Sequence, residues 1–213
     1  MQKFPNLKDP YHFLATLGGL GLSPIGPGTV GSIFGWFIFI VLSHFISAIA
    51  LVILTTFIII FSVFISSIVT KDLIEKDHKS IVIDELAGIW LAMIPVIFIA
   101  SSQYERSIYA LLALTMFRIF DISKPFPISY IDKNFKNGFG VVLDDLIAAI
   151  FAAIFAADVV GYSKLMAENE KLTLFRLKET RKTTDPIIQK LGGRIFSTCL
   201  LYTSDAADDT RRG

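Results

Sequence analysis

The chain has 213 residues, a formal net charge of +1 and 53% hydrophobic residues, and its mean hydropathy is positive. That balance leaves no basic excess to hold a nucleic-acid backbone, and no acidic excess of the kind that keeps a chain disordered. The one cysteine, Cys199, excludes a disulfide framework and any paired-cysteine zinc or redox site.

Met1 to Asp9 is polar and leads into no short cleavable apolar core, so no signal peptide is expected. Between Asp9 and Lys71 there is no Asp, Glu, Lys or Arg. The first part of this stretch is rich in Gly and Pro, which rules out one regular element. The second part, Ile33 to Val69, is almost wholly apolar. As a single helix it would run roughly 55 Å at 1.5 Å per residue, against about 30 Å of bilayer core. Two antiparallel helices with a bend near Ser43, His44 and Ser47 are predicted instead. Three further apolar runs follow: Leu86 to Tyr104, Ser107 to Phe120, and Leu146 to Ala157. The last is short for a span and is not expected to cross fully. No run alternates like a strand. The expectation is an all-α, membrane-embedded bundle of about five apolar helices, with the Gly/Pro-rich loop and the acidic loops on one side. That side carries Lys71, Lys76, Lys79, Lys124, Lys133 and Lys136, and the opposite turns carry Arg106, which predicts a cytoplasmic orientation. Residues 1–163 form the predicted domain, and 164–198 a charged tail with weak helical amphipathicity. Cys199 to Gly213 resembles a translated sequencing adapter and is set aside from the fold.

Four segments carry chemistry. In Gly21–Ser32 several glycines stand beside Ser23, Thr29 and Ser32 and run into a helix. Such a segment either presents N–H groups and hydroxyls to an anion, or is a tight loop with glycines for packing. Asp84 and Glu85 open the apolar run at Leu86. They read either as helix-start acids meeting the dipole or as a pair of oxygen ligands for Mg²⁺. His78, just before them, is a solvated loop residue or a proton carrier. Arg118 and Asp121 lie three apart on one face of a helix end, ahead of Lys124, Pro125 and Pro127. They read as a local ion pair, or as phosphate contacts from Arg118 and Lys124 with a metal contact from Asp121. Asp144 and Asp145 form a second acidic pair after a glycine-containing turn. Five carboxylates predicted on one side of one bundle would repel each other, and a divalent cation would relieve this while serving phosphoryl chemistry.

The segments G-L-S-P-I-G-P-G-T-V-G-S (21–32), I-V-I-D-E-L-A-G-I-W (81–90) and F-R-I-F-D-I-S-K-P-F-P-I with D-K-N and G-F-G-V-V-L-D-D (117–145) resemble the phosphatidylglycerophosphatase A family. The resemblance covers roughly Pro10 to Gly161. It implies a bacterial inner-membrane enzyme that needs Mg²⁺ and converts phosphatidylglycerophosphate, its phospholipid substrate, to phosphatidylglycerol. It also implies active-site roles for Asp84, Glu85, Asp121, Asp144, Asp145 and Lys124. We expect His78 among the catalytic groups, and Ser23, Gly26, Gly28, Thr29, Arg118 and Lys124 around the substrate phosphate. Two features depart from the family: Asn137 stands where members often have a second glycine, and the tail beyond Ser163 has no counterpart. The rival readings are a phosphatidyltransferase, whose spaced Asp motif is absent, a small membrane transporter, and a soluble helical domain.

Overall fold

The computed structural model describes residues 4–71, 73 and 78–190. Lys76, the adapter-like segment from Cys199 and the tail beyond Lys190 lie outside them. Among the described residues there are seven α-helices, one 3-10 turn and no strand. The helices are α1 (Pro10–Ala15), α2 (Pro27–Leu42), α3 (Ala48–Thr70), α4 (Ile83–Ile99), α5 (Gln103–Ser123), α6 (Ile128–Asn134) and α7 (Gly138–Lys190), and the 3-10 turn is Leu20–Leu22. The expected apolar helices are α2, α3, α4, α5 and the first part of α7. The short α1 and α6 are additions.

Local chemistry sets the boundaries. Asp9 accepts from the N–H groups of Tyr11 and His12 and starts α1. Gly26, at a φ of +53°, and Pro27 start α2. The Ile33–Val69 run breaks at the predicted place, where Ser47 Oγ accepts the Ala50 N–H and opens α3. Between α4 and α5, Ser102 accepts the Glu105 N–H while Glu105 accepts the Ser101 N–H, a reciprocal cap close to the S-x-x-E pattern.

The chain divides into two compact units, residues 1–159 and 160–213. In the first, α4 is the central helix and packs against α2, α3 and α5. Its small residues Ala87, Gly88 and Ala92 alternate with Ile89, Trp90, Met93 and Val96, all buried. Trp90 Nε1 donates to the Gly35 carbonyl at 2.9 Å, and its ring meets Phe39 edge-on. This contact needs Gly28, Gly31 and Gly35 on α2. A Cβ on each would come within 3.0 Å of Glu85, Val82 or Ile89, so the two helices approach at close to backbone distance.

Helix α3 buries Thr55, Ser62, Ser66 and Thr70 and leaves Ile49, Ile53, Phe57, Ile60 and Phe64 more than half exposed. Helix α3 and the stretch Gly138–Ile187 of α7 are long and apolar enough to cross a membrane. Leu146–Ala157 is not the separate short element expected from sequence but part of α7, which begins at Gly138 and continues through the charged residues that follow. In the second unit α7 runs on from Val160 to Lys190, with one non-helical residue at Asn169.

The start of α7 places the second acidic pair. Asn137 Oδ1 accepts the Gly140 N–H at 2.8 Å, so the residue that departs from the family pattern works as a cap. A Cβ at Gly138 would lie 2.3 Å from the Ser67 backbone of α3, and one at Gly140 would lie 1.7 Å from the Phe135 carbonyl oxygen. At Gly161 of the same helix a Cβ would meet nothing within 4 Å. Gly140→Ala is therefore expected to cost roughly 3 kcal/mol, or about 6–12 °C in Tm. Gly161→Ala is expected to raise stability by about 0.5–1 kcal/mol through helix propensity. Thermal unfolding of both variants in one detergent checks the pair.

Candidate active site

Four helices contribute to one end of the first unit. Asp84 and Glu85 sit in the first turn of α4, where the helix dipole favours acids. Asp84 Oδ1 accepts the Glu85 N–H at 3.0 Å. Arg118 and Asp121 lie near the end of α5, and the first turn of α2 brings Gly26, Gly28 and Thr29. Asp144 and Asp145 come from α7. Because that helix starts at Gly138, the pair lies beyond its first turn. Helix capping therefore explains the first acidic pair and leaves the second without a structural reason of that kind.

These groups line a cavity of about 340 Å³ whose wall holds five carboxylates and three cations, the latter being Lys79, Arg118 and Lys124. Glu85, Asp121 and Asp145 each place an oxygen within 4.8 Å of the others. Among them stands Arg118. Its Nη1 donates to Glu85 Oε2, to Asp121 Oδ2 at 3.0 Å and to Ser32 Oγ at 3.1 Å. Ser32 Oγ lies 3.0 Å from Glu85 Oε2 and 2.9 Å from the Gly28 carbonyl. A Cβ at Gly28 would lie 2.0 Å from Glu85 Oε1, so a side chain there would displace the Glu85 carboxylate from this position.

A second ion-pair group adjoins the first. Lys124 ends α5 in the left-handed region, at φ +39°, a conformation a side-chain-bearing residue adopts at some cost. Its ammonium donates to Asp144 Oδ2 at 2.6 Å and to Asp132 Oδ1 at 3.0 Å. Burial works against the Lys124 charge, yet its bonds to Asp144 and Asp132 outweigh that and raise its pKa well above the ordinary lysine range. Lys124 thus stays charged at any physiological pH.

The predicted residues thus divide. Asp84, Glu85, Asp121, Lys124, Asp144, Asp145, Arg118, Gly26, Gly28 and Thr29 border one cavity. Ser23 and His78 are not on its wall: Ser23 Oγ donates to the Ile25 carbonyl. His78 Nδ1 accepts the Ser80 N–H, and its ring meets Phe4 edge-on. Within the five acids, Glu85, Asp121 and Asp145 converge, while Asp144 is held by Lys124. Two polar partners take roles the sequence did not suggest: Ser32, read there as a loop hydroxyl for an anion, bonds Glu85 and Arg118, and Asp132 pairs with Lys124. Asp132 lies in the D-K-N segment, eight residues after Lys124, but nothing local marks it as that lysine's partner.

Asp144 shows 7% of its side chain and loses its 2.6 Å ion pair in Lys124→Met, whereas Lys136 is 54% exposed and meets Asp132 only at 3.8 Å. Lys124→Met is expected to cost about 2–4 kcal/mol of stability, and Lys136→Met less than about 0.5 kcal/mol. Thermal unfolding at neutral pH measures both.

The sequence profile of the family phosphatidylglycerophosphatase A matches residues 13–159. A phosphatidylglycerophosphatase A of Haemophilus influenzae is 36% identical over 149 residues, 70% of this chain and 88% of its own length. One from Escherichia coli K12 is 32% identical over 150 residues, 69% of this chain and 81% of its own. A Bacteroides thetaiotaomicron protein provisionally named a phosphatidylinositol-3-phosphatase is 32% identical over 143 residues, 65% of this chain and 86% of its own. No solved structure matches the chain. The matched span takes in every residue that lines the acidic cavity, and the chain belongs to the phosphatidylglycerophosphatase A family of phosphatases.

Proposed function

We propose that this protein is a Mg²⁺-dependent lipid phosphatase that hydrolyses the terminal phosphate of phosphatidylglycerophosphate to give phosphatidylglycerol. The observation that carries the reading is the convergence of Glu85, Asp121 and Asp145 within 4.8 Å at one end of an apolar helix bundle. The donor set consists of carboxylate oxygens alone, which suits a hard divalent cation. The fit is also electrostatic: five acids against three cations on one cavity wall leave an excess of negative charge that would otherwise repel a phosphate. Glu85, Asp121 and Asp145 are the residues that would hold Mg²⁺, with Asp84 and Asp144 alongside. When bound, Mg²⁺ supplies a Lewis acid that offsets charge on the transferring phosphoryl group.

The protein's own residues do the rest. Arg118 and Ser32 fix the orientation of Glu85 and Asp121, so the carboxylates need no reorganisation when substrate arrives. Lys124 pairs with Asp144 and adds positive charge near the phosphoryl oxygens. The first turn of α2, whose N–H groups have no carbonyl partner within the helix, forms another part of the wall at Gly28 and Thr29. Hydrolysis breaks the ester P–O bond, joins a water oxygen to phosphorus and returns a proton to the departing glycerol oxygen. A site at the end of the bundle lets a headgroup reach the acids while acyl chains lie along exposed apolar side chains such as Ile122 and Phe126. We place this end, with Lys71, Lys79, Lys124, Lys133 and Lys136 nearby, at the cytoplasmic face of the bacterial inner membrane. Acids gathered at one end rather than halfway along helices also favour an interfacial enzyme over an ion pathway.

The test is phosphate release from phosphatidylglycerophosphate, with phosphatidic acid and phosphatidylinositol 3-phosphate as competing substrates. Chelation should abolish release and Mg²⁺ should restore it. Asp145→Asn and Asp84→Asn are each expected to lower kcat at least about 100-fold while the protein still partitions into membranes. Full activity in both variants would remove the site from the reaction.

A further inference from the structure

Two of the three cations on the cavity wall are committed to protein carboxylates, Arg118 to Glu85 and Asp121, and Lys124 to Asp144 and Asp132. Lys79 is the third. It is exposed, and among the described residues no carboxylate oxygen lies within 4.0 Å of its ammonium and no hydrogen bond engages it. The backbone that carries it is fixed on both sides. Ile81 N–H donates to the His78 carbonyl at 2.8 Å, and Ser80 N–H donates to His78 Nδ1 at 3.2 Å. Ser80 is buried against Gly21, where a Cβ would lie 2.2 Å from its carbonyl oxygen, and Val82 N–H donates to the Ala15 carbonyl at 2.9 Å. The turn thus holds, at the open side of a cavity whose buried part is acidic, an ammonium that no described carboxylate engages: Asp121, Asp144 and Asp145 are each at most 9% exposed.

The proposed substrate carries two phosphates of different character, a terminal monoester and, one glycerol away, a diester joined to the diacylglycerol. The monoester belongs with the buried acids and their cation. The diester is a monoanion that lies nearer the cavity mouth, beside carboxylates that repel it unless a cation meets it. We propose that Lys79 binds this phosphodiester and gives the enzyme its preference for a two-phosphate headgroup over a lipid bearing a lone phosphomonoester. The inference rests on the phosphatidylglycerophosphatase reading above and adds a specificity residue to it. It also gives His78 a task, since its ring nitrogen and carbonyl shape the turn that presents Lys79.

The experiment uses the full chain in mixed micelles at low salt, where an exposed charge is least screened. Phosphate release from phosphatidylglycerophosphate is followed for the unaltered protein, Lys79→Ala and Lys79→Arg. Phosphatidylglycerol, which has only the diester, and phosphatidic acid, which has only the monoester, are added as inhibitors. Lys79→Ala is expected to raise KM about tenfold with kcat within about twofold, the signature of a lost charge-assisted contact to a non-reacting group. It should weaken inhibition by phosphatidylglycerol by a similar factor and leave inhibition by phosphatidic acid unchanged, and Lys79→Arg should keep both. An unchanged KM, an equal loss toward both inhibitors, or a fall in kcat alone overturns the assignment. If the unaltered protein releases no phosphate from phosphatidylglycerophosphate, the functional reading itself fails, an outcome visible before any variant is compared.

Discussion

Glu85, Asp121 and Asp145 stand on three different helices, and their carboxylate oxygens lie within 4.8 Å of one another. Two unit charges at about 4 Å repel by roughly 4 kcal/mol at an effective dielectric of 20. Three together at the end of an apolar bundle would push α4, α5 and α7 apart if nothing opposed them. Arg118 opposes part of this from within the cluster, and Lys124 draws Asp144 away from it. A divalent cation among the three carboxylates would relieve what remains of the crowding, and this is the physical basis of the proposed metal site.

Small residues make the crowding possible. Gly28 admits the Glu85 carboxylate beside α2, and Gly88 admits the Phe117 ring beside α4. Gly138 and Gly140 let α7 begin against α3 and against Phe135, which sets how far along the helix Asp144 and Asp145 fall. Each glycine shortens a distance that a methyl group would lengthen, and together they bring the ends of four helices within side-chain reach. The charge of the cavity comes from acidic and basic residues, while its geometry is set by residues with almost no side chain.

Much of this was legible along the chain. The apolar runs marked α2 to α5, the Ser-rich interruption marked the α2–α3 bend, and the paired acids marked residues that the fold brings to one cavity. Other features were hidden for identifiable reasons. Residues Gly138 to Gly140 read as a turn, because two glycines in three residues disfavour helix. Tertiary contact reverses that preference, so the acidic pair sits inside a helix rather than at its head. The division of labour among the acids depends on which cation reaches which carboxylate across separations such as the 33 residues between Glu85 and Arg118, and no local pattern encodes that. Ser32 was visible only as a loop hydroxyl. Its role appears once α2 and α4 pack at their glycines.

Helix α3 carries one further implication. Four of its six hydroxyl-bearing residues, Thr55, Ser62, Ser66 and Thr70, are buried in the protein, while Ile49, Ile53, Phe57, Ile60 and Phe64 point out. In water this polarity is inverted, and burial of the Phe and Ile face would favour rolling the helix about its axis. In hydrocarbon the outward face costs nothing, and the orientation is decided by how closely the small inward residues pack. The surrounding solvent therefore selects which side of α3 meets Gly138. An aqueous refolding that turned this helix over would displace the start of α7, and with it two of the five carboxylates, before any catalytic residue had been altered.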